Sequence, residues 1–220
     1  MMRSSETPAI IHLSIGMPKQ MSYGQDQLLL TGICKEAVQE VYLTKDGFRG
    51  DGIADVRYHG GPDRAVCVYP YEHYEQWDRE FGQALPTAAF GENLTLSHMT
   101  EDAVCIGDIY QIGDAVVQIT QGRVPCSTIT KRLAIPGMLK RMTETGYTGY
   151  LCRVLEEGVV CSDSAIKLLE PHPEQISILF ANQMYYQKQD KPSGIERVLA
   201  VDALADEWRI SLNKRLSQIS

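Results

Sequence analysis

No apolar stretch in this 220-residue sequence approaches the ~20 residues needed to cross a bilayer, which removes a membrane-spanning helix from consideration. Residues 1–8 are polar and lack the apolar core of a secretory signal, so the expected address is the cytoplasm. Positive charge is in short supply. With 21 lysines and arginines against 28 aspartates and glutamates, the formal net charge is -7. A field of that sign repels polyanions, so neither nucleic acid nor an anionic membrane surface is an expected partner, and any anion site must be built locally. Cysteine pairs at metal-knuckle spacing are missing too. Cys34, Cys67, Cys105, Cys126, Cys152 and Cys161 never fall about two to four residues apart, which argues against structural zinc. In the cytoplasm these thiols stay reduced, so no disulfide framework is expected and most read as small buried hydrophobes. Flavin, haem and iron-sulfur motifs, internal repeats and low-complexity tracts are likewise absent.

The hydrophobic fraction of 44% and charged fraction of 22% are those of an ordinary globular protein. The length suits one main unit of about 150 residues with a small appendage. Short β-type runs at 9–14, 38–44, 65–69, 93–96, 109–112, 115–120, 150–155 and 165–169 are rich in β-branched and aromatic residues and are separated by turn residues. Asp46-Gly47 and Gly113-Asp114 are the clearest turns, the second joining two strands as a tight hairpin. Many short strands of this kind predict a mainly β fold, a barrel or strongly curved sheet, rather than alternating parallel βαβ units. Two helices, at 71–81 and 136–145, interrupt it as lids, the second ending at the natural cap Gly146.

Beyond Glu170 the texture changes. Pro171 and Pro173 break the strand pattern, which divides the chain into a barrel at 1–170 and a helical appendage at 171–220. There Ile176, Leu179, Phe180 and Met184 form one apolar stripe, and Val201, Leu204, Ala205, Trp208, Leu212 and Leu216 form another. Ser193 and Glu196 fit a capping box, which predicts a loop at 190–194 and a short third helix to Ala200.

Four segments can carry chemistry. His59-Gly60-Gly61-Pro62-Asp63-Arg64 precedes a strand; its glycines permit a backbone nest for an anion, to which Arg64 adds a bidentate donor, although the same run also serves as a plain turn. Gly91-Glu92-Asn93 sets a carboxylate and an amide at a strand lip, for a polar ligand or for the turn itself. In Gln121-Gly122-Arg123-Val124-Pro125-Cys126 a thiol starts a loop three residues after an arginine, an electropositive setting that favours thiolate, the soft ligand of sulfur-loving metals. Cys67 and Cys152, inside apparent strands, read as core. The glycines of Gly146-Tyr147-Thr148-Gly149-Tyr150 suit close approach to a ligand or an aromatic turn, and Arg153 needs an anionic partner only if it points inward.

Taken in order, His59-Gly60-Gly61-Pro62-Asp63-Arg64-Ala65, Tyr69-Pro70, Glu72-His73-Tyr74, Phe90-Gly91-Glu92-Asn93-Leu94, Gly107-Asp108-Ile109, Pro125-Cys126 and the 146–153 stretch resemble the MOSC family, named after the C-terminal domain of molybdenum-cofactor sulfurase. Within it, the likeness is to YiiM-type proteins, whose three-helix extension the tail also resembles. The resemblance implies a MOSC-type β-barrel and a molybdenum-cofactor site. Cys126 would be the metal's thiolate ligand, and Gly60, Gly61, Asp63, Arg64, Glu92, Asn93 and Arg123 would surround the cofactor. His59 would deliver a proton near neutral pH, while Arg64 and Arg123 would hold the pterin phosphate. It further implies reduction of N-hydroxylated compounds, such as hydroxylaminopurine bases, with electrons from partner proteins. Pyridoxal phosphate is a further ligand at family level, and the tail could support a homodimer. Where some members read Arg-Ser-Pro-Cys, Val124 stands here and removes one hydroxyl. Two rival functions stay open: a sulfur carrier holding a persulfide on Cys126, and a non-catalytic barrel that binds a small anion.

Overall fold

A computed structural model describes residues 7–55, 60–186 and 192–219. Its main feature is a curled eight-stranded sheet, a half-barrel. The strands are β1 (Ala9–Ile15), β4 (Glu36–Ala37), β7 (Val66–Pro70), β8 (Leu94–Ser97), β9 (Ile109–Ile112), β10 (Ala115–Gly122), β11 (Tyr150–Glu156) and β13 (Ile166–Glu170). Their order is β13-β9-β10-β11-β7-β8-β1-β4, antiparallel except for β7 and β8. Gly113, at φ 60°, turns β9 into β10, and Ala115 pairs with Ile112 across the expected hairpin. A three-stranded sheet, β12 (Gly158–Cys161), β5 (Glu40–Thr44) and β6 (Gly47–Phe48), stands beside it, with the hairpin of β2 (Lys19–Tyr23) and β3 (Gln27–Thr31). No helix among the described residues is long and apolar enough to cross a membrane.

The helices are α1 (Glu72–Phe81), α2 (Ser127–Leu133), α3 (Met138–Thr145), α4 (Ile178–Tyr186), α5 (Pro192–Leu199) and α6 (Asp206–Ile219). Gly146 ends α3 in the left-handed region at φ 79°, as expected. Tyr69, Trp77, Phe90, Ile129 and Met142 form an apolar cluster in which α1, α2 and α3 meet. The larger core joins the inward faces of the sheet, such as Val66, Val117 and Val154, to Ile195, Trp208 and Leu212 of the tail.

Several local expectations differ from the structure. The run at 38–44 starts later, as β5, because 36–37 pairs separately with β1. The hairpin β2–β3 carries no alternating signal, since Leu28 and Leu30 are 64% and 53% exposed. Helix α2 escapes notice because seven residues holding two threonines and one isoleucine offer little helical period. In the tail, residues 190 and 191 of the expected loop lie outside the described residues, while 192–194 belong to α5 (Pro192–Leu199), so Ser193 lies inside the helix instead of capping it.

Candidate functional site

Strands β7 and β10, which flank β11 in the sheet, deliver the expected segments to one place. Ahead of β7, Gly61 adopts φ 115°, a conformation that favours glycine, and the short 3-10 turn Pro62–Arg64 follows. At the end of β10, Arg123 and Pro125 lead to Cys126, which occupies the N-cap position of α2 with φ -112° and ψ 163°. Thr120 bolts the two together by donating to the carbonyls of Asp63 at 2.7 Å and Leu151 at 2.9 Å. Between these segments and the β2–β3 hairpin lies a cleft of about 1040 Å³. Gly60, Gly61, Arg64, Asn93, Arg123 and Cys126 all line it, whereas His59 lies outside the described residues.

Arg123 shapes the floor. One terminal nitrogen donates to the Phe90 carbonyl, and the other, Nη1, is buried with no partner among the described residues. Burial opposes the charge on this guanidinium, but the nearby Cys67 and Cys126 sulfurs and Glu92 outweigh it and push its pKa up. Gln121, 1% exposed, lines the same cleft with a buried Oε1 that likewise has no partner among the described residues. A guanidinium N–H and an amide oxygen of two cleft-lining residues are thus left without a partner among the described residues.

Asn93 faces the cleft but is mostly committed to the protein. Its Nδ2 donates to Ser14 O at 3.3 Å and Asp51 Oδ2 at 2.9 Å, while Oδ1 accepts from Cys67 N at 3.1 Å. Asp51 also pairs with Lys35 and accepts from Gly16 N at 2.8 Å, so a partly buried ion pair braces this wall. Arg64 donates from Nε to Gly60 O at 2.8 Å and pairs through Nη1 with Glu207 at the start of α6.

Asp63 and Glu92, expected at the cofactor, are placed as scaffold. Asp63 accepts from Arg153 Nε at 3.0 Å and lies off the main cleft, so Arg153 points to a carboxylate and not to a ligand. Glu92 is fully buried, holding Tyr74 Oη, Thr95 Oγ1 at 3.0 Å and Phe90 N at 3.1 Å. That burial and that carboxylate push the Tyr74 hydroxyl far above its ordinary pKa. The 146–149 glycines also serve packing: a Cβ on Gly149, at φ 75°, would sit 2.4 Å from the Val68 carbonyl.

Cys67 is not sealed in the core; it is half-buried and lines the cleft. Lys35, Asp51, Gln121 and Glu207 escaped sequence reasoning. Gln121 had a signal, a polar residue beside the arginine motif, while the others had none, being joined to the site only by the fold. Ser127 and Thr128, at the start of α2, also line the cleft and bring hydroxyls near the place where Val124 removes one.

The model of the MOSC domain matches residues 55–167, and that of the YiiM-like 3-alpha helix domain matches 176–218. The chain is 41% identical to the uncharacterized protein YflK of Bacillus subtilis, over 97% of both chains. It is 39% identical to a protein named reductase from Gibberella moniliformis, over 61% of this chain and a quarter (25%) of that longer protein. The crystal structure of YiiM from Geobacillus stearothermophilus superposes with a TM-score of 0.80 at 34% identity, covering 95% of this chain and 99% of the other. With the expected motifs gathered on one cleft of a curled sheet and the helical tail matched separately, this chain belongs to the MOSC domain family, in its YiiM-like form.

Proposed function

We propose that the cleft binds the molybdenum cofactor and that the protein reduces N-hydroxylated compounds with electrons supplied by a partner protein. The carrying observation is the coincidence, on one cleft, of the half-buried Cys126 with a buried donor, Arg123 Nη1, and a buried acceptor, Gln121 Oε1, that no group among the described residues satisfies. Such orphaned groups cost about 1–3 kcal/mol each, which a ligand bearing both donors and acceptors recovers. A pterin bears both. Its phosphate suits the guanidinium groups of Arg64 and Arg123, and its metal suits a thiolate. The family's link to molybdenum-cofactor sulfurase and the relative named reductase support the same reading.

When bound, the cofactor supplies two-electron redox chemistry at a metal. The chain's own groups do the rest. Cys126 Sγ would hold the metal, with Arg123 fixing the pterin from the floor. Leu30, Ile53, Val124 and Leu151 add apolar surface to the lining of the cleft. Cleaving the N–O bond of a hydroxylamine consumes two electrons and two protons and yields an amine and water. His59, next in sequence to the cleft-lining Gly60, is the proposed proton donor.

The test is molybdenum content per chain after expression in cofactor-producing cells. Wild-type protein should carry the metal and Cys126→Ser should lose nearly all of it. Equal, near-zero metal in both proteins would remove the proposal, and cyanide-labile sulfur on Cys126 without molybdenum would favour a sulfur carrier.

A further inference from the structure

The basic groups of the cleft do not stand alone, because the helical tail sends a carboxylate into it. We propose that Glu207 is the resident counter-ion of Arg64 and that an anion entering this end of the cleft must displace it; the proposal rests on the reading of the cleft as an anion-binding site. Glu207 lines both the main cleft and a smaller crevice of about 200 Å³, bounded by the 60–64 loop, Gln121 and residues 205–207. Of the donors on Arg64, Nε is taken by Gly60 O and Nη1 by Glu207. An anion that approaches the outer fork of this guanidinium therefore meets a carboxylate already on it.

The backbone that carries Glu207 is fixed by hydrogen bonds to the barrel. The turn before α6 is bolted to the barrel by Arg153 Nη2 donating to Ala203 O at 3.0 Å, Ala205 N donating to Thr120 O at 3.2 Å and Asp206 N donating to Asp63 Oδ2 at 3.4 Å. Asp63, in turn, holds Arg153 within the residue pair that orients the loop carrying Arg64. Glu207 itself sits in the first turn of a 14-residue helix, where a carboxylate is favoured, and its side chain is 50% exposed while that of Arg64 is 18% exposed. A side chain so exposed can rotate away without disturbing the backbone beneath it. The tail thus contributes to the site itself: it tunes how strongly the cleft holds a phosphate-type group.

The experiment titrates inorganic phosphate into the full-length chain by calorimetry at low ionic strength, with wild type, Glu207→Gln, Arg64→Gln and the double variant. Removing the competing carboxylate should tighten phosphate binding about two- to fivefold, the range set by a partly exposed ion pair. Glu207→Asp, which keeps the charge, should stay near wild type, and the gain of Glu207→Gln should vanish once Arg64 is removed. Equal affinity in wild type and Glu207→Gln, a gain that persists without Arg64, or no phosphate binding by any variant overturns the proposal. Molybdenum content of the same preparations is scored separately. Loss of metal binding alone would sink the cofactor reading and leave the competition between Glu207 and phosphate intact.

Discussion

Cys67 and Cys152 lie on adjacent strands, yet they face opposite sides of the sheet. Cys67 pairs across the sheet with Leu151, and both line the cleft, while the next pair, Val66 with Cys152, turns into the core. The alternation of side chains along a strand decides this, and one residue of register would reverse it. Burial pushes both thiols up, Cys152 furthest, with the Arg123 charge pulling Cys67 partly back. A raised pKa means less thiolate at any pH below it. Alkylation of Cys67 in a Cys126→Ser background should therefore keep accelerating past about pH 8.5, the ordinary thiol value, where a free cysteine begins to level off. Cys152 should remain unlabelled until the protein is denatured. Peptide-level mass spectrometry reads both, and a Cys67 rate that levels off like a free thiol would contradict the burial assigned to it.

At the scale of elements, α1 is tied to the sheet by a buried polar pair. His73 Nε2 lies 2.5 Å from Glu101 Oε2, and Glu101 Oε1 accepts from Gly149 N at 2.8 Å. The His73 ring also stacks on Tyr147 at 4.1 Å. Replacing one partner leaves the other buried without its match, which costs about 3–5 kcal/mol. His73→Ala should lower stability by about that much in urea unfolding, and a loss below 1 kcal/mol would show that the pair bears little of the packing. Helix α1 was legible from Tyr74, Trp77 and Phe81 at helical spacing, and its start after Pro70 from the proline itself. Helix α2 was not. Its place is dictated by Ile129 and Leu133 packing into the aromatic cluster and by Arg132 donating to the carbonyls of Ile33, Ala88 and Thr87. Those partners come from distant segments, so no local period announces them.

For the whole molecule, the telling position is Gly122, where the barrel and the tail touch. A Cβ there would lie 1.9 Å from Asn182 Oδ1 and 2.9 Å from the Trp208 ring. Asn182 is itself held by donation to Gly146 O at 2.7 Å and Thr148 Oγ1 at 3.0 Å, and Trp208 is fully buried and stacked on Tyr185 at 4.3 Å. The site residue Arg123 is next in the chain, and Tyr186 Oη donates to its carbonyl at 2.8 Å. Tail and site share these atoms. Gly122→Ala should destabilise the protein by about 1–3 kcal/mol through overpacking, in one cooperative transition monitored by tryptophan fluorescence and circular dichroism. Unchanged stability would mean that the tail does not press on β10 as described.

Alternation and turn residues in the chain were enough to mark most strands of the half-barrel, the glycine ends of its turns and the apolar stripes of the tail. They were enough, too, to single out Arg123 and Cys126 as a pair three residues apart, because both belong to one short segment. Which polar residues face the cleft was decided only in three dimensions. Asp63 and Glu92 turned to scaffold because Arg153 and Tyr74 reach them from other strands and helices, while Asp51 reaches Asn93 from 42 residues away and Glu207 reaches Arg64 from 143. A hydrogen bond or ion pair depends on the final approach of its two partners. When the partners are far apart in the chain, that approach is set by strand register and by how the tail docks, neither of which leaves a mark on the local sequence.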